Sequence, residues 1–215
     1  MYENIIFIDC DSTLSAIEGI DELARLRGEE TFEACKNMTN RAMDGEIAIE
    51  AVYGERLKLI NPTREECEAI GQMYIDTIEP GAKGLVEWLG ANGWLTVIVS
   101  GGITQVIEPF ARHLGVEELK AVDVFFDGEG KFEGFLDSAP TARVGGKIEV
   151  IDEYKKSHEP KKVVMVGDGV SDLETQGNVD LFVGFGGFVE RVKVKGEAKA
   201  FVKSLADLPP LLTEL

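Results

Sequence analysis

The chain has 215 residues, 44% of them apolar, which suits one α/β domain, or one domain with an inserted subdomain, and argues against global disorder. Its formal net charge is −17, with Lys and Arg scattered along the chain, so neither a nucleic acid nor an anionic membrane is an expected partner. No apolar stretch approaches the roughly 20 residues of a membrane span, no basic leader precedes the first strand, and the three cysteines match no thiolate metal site; we expect reduced thiols and a cytoplasmic protein.

Ile5-Ile6-Phe7-Ile8 is a continuous apolar run of the kind found in strands buried on both faces of a parallel sheet, and it ends at Asp9-Cys10-Asp11-Ser12. From about residue 15 to 78 the pattern is helical. Ile20, Leu23 and Ala24 share one face, with Gly28 as a stop. Phe32, Cys35, Met38, Thr39, Ala42 and Met43 predict a second helix and residues 47–60 a third. Asn61-Pro62 breaks the chain, and Thr63 with Glu66 has the spacing of a capping box opening another helix. Pro80-Gly81 leads back to the sheet through a helix over 82–89 and a second strand over 95–99, which ends at Ser100-Gly101-Gly102. Residues 105–113 read as helix, with Pro109 predicting a kink or a break. Residues 125–132 read as a Gly-turned β-hairpin and 148–156 as a helix. A third strand over 163–166 ends at Gly167-Asp168-Gly169, and a fourth covers 181–183. Pro209-Pro210 predicts a short helix or an irregular end. No repeat and no low-complexity segment interrupts the order.

Strand, polar loop and helix in alternation predict an α/β fold: a doubly wound (Rossmann-like) parallel sheet built from residues 1–14 and 79–215, with 15–78 inserted as a helical cap. In such folds ligands lie beyond the carboxyl ends of the strands, which is where the three polar loops fall.

Those loops suit phosphoryl chemistry. Asp9 and Asp11 form an i, i+2 pair of carboxylates at one strand end, and both stay ionised only if a cation or donors compensate. A hard, oxygen-seeking Mg²⁺ does so, though Mn²⁺ or Co²⁺ could substitute. One carboxylate can attack phosphorus while the other protonates the leaving oxygen and later activates water. Ser100, Gly101 and Gly102 offer a hydroxyl and approachable amides for a phosphate. Lys147 supplies a cation, Asp168 a further metal carboxylate, and Asp172, four residues on, a supporting acid. Each loop alone also reads as an ordinary turn, a surface lysine or a helix-terminal acid. Their joint occurrence at successive strand ends favours the chemical reading. His113 and His158 read as surface residues, and Met38 and Met43 as helix packing.

Asp9-Cys10-Asp11-Ser12-Thr13, Ser100-Gly101-Gly102, Lys147 and Gly167-Asp168-Gly169-Val170-Ser171-Asp172 resemble the four motifs of the haloacid-dehalogenase (HAD) superfamily of phosphatases. Residues 18–24, the stretch 38–43, residues 55–57 and 182–187 are similar to its phosphoserine-hydrolysing branch, a resemblance running over about residues 5–205. It implies hydrolysis of phosphoserine through an aspartyl-phosphate on Asp9, with Asp11 as general acid/base. It implies metal ligation by Asp9, Asp168 and the Asp11 carbonyl, with Asp172 behind them. Ser100, Gly101, Gly102 and Lys147 would hold the phosphoryl group, with Ser171 nearby. Glu18 would face an ammonium, Arg56 a carboxylate, and Met43 would line the pocket. Ile49, Ile103 and Lys120-Ala121-Val122-Asp123 depart from that branch, which leaves open another small phosphomonoester, or transfer to an alcohol instead of water. A receiver module that stores a phosphoaspartate is a third reading, disfavoured by Asp11 and by the helical insertion. The fold leaves monomer and homodimer both open.

Overall fold

The computed structural model describes residues 2–43, 46–47 and 49–215; the side chains of Ala42, Met43, Ile49 and Ala51 lie outside the description. β1 (Asn4–Ile8) pairs in parallel with β2 (Trp94–Ile103) on one side and with β6 (Lys162–Gly167) on the other. β3 (Glu118–Val122) extends the sheet beyond β2, while β7 (Leu181–Phe185) and β8 (Ala200–Val202) extend it beyond β6. The order β3-β2-β1-β6-β7-β8 is parallel throughout, and β1 and β6 are central strands. Period-two side-chain alternation explains why such runs are continuously apolar. Ile6 and Ile8 enter one buried cluster, while Ile5 and Phe7 enter another that also holds Val97, Val99 and Met165.

Four helices separate β1 from the rest of the sheet: α1 (Gly19–Arg25), α2 (Glu29–Met43), α3 (Ile49–Ile60) and α4 (Arg64–Asp76). α4 opens on the expected capping box, the Thr63 hydroxyl accepting from the Glu66 amide at 3.2 Å and the Glu66 carboxylate from the Thr63 amide at 2.8 Å. After α5 (Ala82–Ala91), the second strand runs further than the apolar run predicts: β2 includes Ser100, Gly101 and Gly102, with its register against β3 shifting between Val99 and Ile103. The Ser100-Gly101-Gly102 segment is thus an irregular end of a strand, where bulged backbone redirects side chains and amides.

Pro109 does not break its helix. α6 (Thr104–Leu114) runs through it, because Val106, Ile107, Phe110, Ala111 and Leu114 form one buried face spanning the proline. At about 1.5–3 kcal/mol for each large buried side chain, that burial outweighs the roughly 3 kcal/mol cost of an interior proline. The hairpin forms from β4 (Val124–Phe126) and β5 (Phe132–Phe135), outside the main sheet. α7 (Gly146–His158), α8 (Val170–Leu173), α9 (Val192–Glu197) and α10 (Leu208–Thr213) complete the chain. Cys10, Cys35 and Cys67 are buried and free, and His113 and His158 are exposed. Among the described residues, no helix is long and apolar enough to cross a membrane.

Candidate active site

The three strand-end segments converge on one cavity of about 440 Å³, within the range of small-ligand sites. The turn after β1 is sharp, with Ser12 at φ +52°, and it is tied to the loop after β6 where the Thr13 hydroxyl donates to Asp168 Oδ1 at 3.4 Å. Asp9 stands at the end of β1, and Lys147 Nζ lies 2.8 Å from its Oδ1. The same ammonium lies 2.5 Å from Asp172 Oδ1, while Asp172 Oδ2 accepts the Gly169 amide at 2.9 Å. Lys147 reaches this position because α7 begins hard against a preceding turn, where a Cβ on Gly146 would lie 1.6 Å from the Pro140 carbonyl oxygen. Only glycine fits there.

Positive charge is in short supply. Asp9, Asp168 and Asp172 are buried, and their ligand oxygens all lie within 4.8 Å of one another. Lys147 and Arg191 are the cations paired with them among the described residues, Arg191 Nε donating to Asp168 Oδ2 at 3.0 Å. Burial, with Asp9 beside it, raises Asp168 to about 7 even against Arg191. Burial opposes the charge on Lys147, but Asp172 and Asp9 outweigh it and hold the ammonium above its ordinary value. Burial raises Glu18 well above the usual carboxylate range, with Asp11 and Asp168 adding to it while the Ser12 hydroxyl, donating at 2.7 Å, works the other way. A buried all-oxygen donor set with excess negative charge fits a hard divalent cation.

Asp11 is held by three donors. Gly19 N–H at 2.9 Å and the Tyr74 hydroxyl both reach Oδ1, and the Ser100 hydroxyl reaches Oδ2 at 3.1 Å. Burial and Asp9 raise this carboxyl above its ordinary value, and those donors offset only part of the rise. Ser100 is fully buried and does not line the cavity; its oxygen also accepts the Gly102 amide at 2.9 Å. Gly101, Gly102 and Ser171 do line it, as do Asp9, Asp11, Lys147 and Asp168.

The helical segment supplies another part of the wall. Arg56 of α3 is buried on the cavity, donating from Nη1 to the Thr39 hydroxyl at 2.7 Å, and Thr39 in turn can donate to Asp21 Oδ1 at 3.2 Å or to the Cys35 carbonyl at 3.1 Å. Arg56 Nε is buried with no partner among the described residues. Glu18 lines the same cavity. The expectation for Met43 falls on a side chain outside the description. Sequence reasoning missed Arg191, Tyr74, Thr39 and Asp21. Arg191 follows a glycine-rich turn after β7 and Tyr74 sits in an ordinary helix, so neither position carries a signal before the chain is folded.

The sequence model of the haloacid dehalogenase-like hydrolases matches residues 6–175. Phosphoserine phosphatase of Homo sapiens is 37% identical over 208 residues, covering 94% of this chain and 90% of the human protein. Among solved structures, a phosphoserine phosphohydrolase-like protein from Francisella tularensis superposes with a TM-score of 0.87 at 27% identity, covering 98% of this chain and 99% of the other. A substrate-bound phosphoserine phosphatase has the same fold, with a TM-score of 0.84 at 24% identity over 100% of this chain and 99% of its own.

Proposed function

The chain belongs to the haloacid dehalogenase-like hydrolase family, and from that premise we propose that it hydrolyses O-phospho-L-serine to L-serine and phosphate, the serine-forming step of serine synthesis. One observation carries the reading: a single cavity is lined on its sheet side by Asp9 and Lys147, with Asp172 behind them, and on its helical side by Glu18 and by Arg56, whose Nε has no partner among the described residues. A phosphorylated amino acid matches that layout, because its carboxylate suits a guanidinium and its ammonium suits a carboxylate.

In this reading an Asp9 carboxylate oxygen attacks phosphorus as the ester P–O bond breaks, and Asp11 gives its proton to the departing serine oxygen. Water then attacks the aspartyl-phosphate and gives a proton to Asp11, the acyl-phosphate P–O bond breaks, and phosphate leaves. Lys147 offsets charge on Asp9 and on the phosphoryl oxygens, and Asp172 holds Lys147 in place. Gly101, Gly102 and Ser171 meet the phosphoryl group from the cavity wall, with Ser100 fixing Gly102 and Asp11 from behind. A divalent cation, Mg²⁺ by the hardness of the donors, would be held by Asp9, Asp168 and the Asp11 carbonyl, and would supply charge neutralisation. Helices α1–α4 act as the cap over residues 15–78, and the protein works in the cytoplasm on a small soluble substrate.

Phosphate release from phosphoserine, phosphothreonine, phosphoethanolamine, 3-phosphoglycerate and p-nitrophenyl phosphate tests this, each with Mg²⁺ and with EDTA. Phosphoserine is expected to lead the panel by at least about a hundredfold in kcat/KM, since one well-paired charge is worth a few kcal/mol. All turnover should vanish with EDTA and in Asp9→Asn. Even activity across the panel would remove the phosphoserine assignment, and a fully active Asp9→Asn would remove the mechanism.

A further inference from the structure

Tyr74 lies on α4 and is fully buried, yet its hydroxyl reaches the carboxylate after β1. Its ring packs against Phe110 of α6, centroids 5.7 Å apart. Its backbone carbonyl accepts the Ser15 hydroxyl at 3.2 Å, so the residue grips the turn after β1 at two points. On the other side the fit depends on Gly19: a Cβ there would lie 2.4 Å from the Tyr74 hydroxyl oxygen and 3.0 Å from the ring. The glycine is what leaves room for the hydroxyl.

We infer that Tyr74 is a positioning residue for Asp11, acting with the Gly19 amide to occupy Oδ1 so that Oδ2 is the oxygen that gives and takes the catalytic proton. The inference rests on the reading of Asp11 as general acid/base. A carboxylate oxygen offers two lone-pair sites, and on Oδ1 both are taken, by the Gly19 amide at 2.9 Å and by Tyr74. The amide can only donate, so a proton on that side of Oδ1 would meet another N–H. Oδ2 faces a different partner. The Ser100 hydroxyl, 3.1 Å away, is the one donor on Oδ2 among the described residues, so one of its two lone-pair sites stays free for the proton. Oδ2 therefore lies where the proton can come and go, beside the end of β2 that meets the phosphoryl group. Losing the Tyr74 hydroxyl frees one site on Oδ1 and lets the carboxyl rotate or protonate on the wrong oxygen.

The test compares esters with different leaving groups in Tyr74→Phe, which keeps the ring. kcat/KM reports steps up to transfer of the phosphoryl group to Asp9. For phosphoserine, whose alkoxide needs a proton to leave, it is expected to fall by about ten- to a hundredfold, the usual scale for a misplaced acid. For p-nitrophenyl phosphate, whose phenolate leaves unprotonated, it should stay within about twofold. Gly19→Ala, which drives the ring off Asp11 without removing the hydroxyl, should reproduce the split. Equal losses on both esters, or none on either, would overturn the proposal in favour of a purely structural tyrosine. Asp11→Asn run alongside separates the two failures. If it shows no leaving-group split, the acid/base reading falls and this inference with it. If it shows one and Tyr74→Phe does not, Tyr74 alone is overturned.

Discussion

At the sheet edge Lys147 lies 2.8 Å from Asp9 and 2.5 Å from Asp172, whereas across the cavity Arg56 puts one N–H on Thr39 and leaves Nε with no partner among the described residues. The two walls are both buried and both charged, but they differ in how their polar atoms are satisfied. A buried polar atom without a partner costs about 1–3 kcal/mol, more when charged. At the sheet edge Lys147, Asp9 and Asp172 satisfy one another with their own side chains, and what remains open there is the excess negative charge and the Thr141 hydroxyl, which has no partner among the described residues. The helical wall leaves that cost standing, as expected where a ligand group is to complete the pairing. In the proposed reading the difference separates two kinds of information: reaction chemistry in the paired edge, and substrate choice in the helices.

The largest effect should come from unpairing the edge. Lys147→Met keeps the length of the side chain but leaves Asp9 and Asp172 facing each other in a buried site. Removing one partner of such a cluster costs about 3–5 kcal/mol, or about 10 °C in Tm for a chain of this size. Thermal unfolding with and without Mg²⁺ measures it, and activity on every ester should be lost together. A variant that melts with the parent would show that the ammonium does not organise this wall.

Arg56→Ala should be milder and selective. The absent guanidinium matters only to a substrate with a carboxylate to place there, so kcat/KM for phosphoserine is expected to fall by about a hundredfold, while phosphoethanolamine changes by less than about threefold. Equal losses on the two esters would dissolve the contrast between the walls, because Arg56 would then be supporting the fold instead of choosing the substrate.

The same contrast explains what could be read before folding. The edge was legible because buried parallel strands are continuous apolar runs, and the residues that follow them, Asp9, Ser100 and Asp168, fall on one side of the sheet by topology alone. β3 was not legible: Glu118–Val122 is an outer strand with four half-buried residues and no apolar run to mark it. β8 is only three residues long. That α6 runs unbroken through Pro109 was not legible either, because propensity is local, while the buried face that carries the helix through it is set by packing. On the helical wall, Glu18 and Arg56 came from family resemblance. The Arg56–Thr39–Asp21 chain and the reach of Tyr74 to Asp11 join residues 17 to 63 positions apart, through contacts that no periodicity encodes.

The smallest expected effect lies in the helical segment but away from the cavity, where an ion pair is fully satisfied. Arg27 holds Glu66 through two N–H groups, at 2.7 and 2.6 Å, and its Nε caps the Ile60 carbonyl at 2.6 Å where the chain turns between α3 and α4. Hydrogen bonding from Arg27 is the main reason the Glu66 carboxyl drops from 4.5 to about 2; burial opposes it, and the Thr63 amide helps. A carboxyl lowered by folding adds stability that is fully present above its unfolded value and is lost as pH falls towards the folded one. The window is therefore about pH 4.5 down to 2. The pair is about a quarter exposed, so solvent screening limits its contribution to about 1 kcal/mol. Glu66→Gln keeps an acceptor for the Thr63 amide and removes only the charge. Urea unfolding should show parent and variant differing by about that amount at pH 7 and converging below pH 3, at ionic strength matched throughout. A gap that stays constant across the window would mean that the capping geometry, and not the charge, holds this turn.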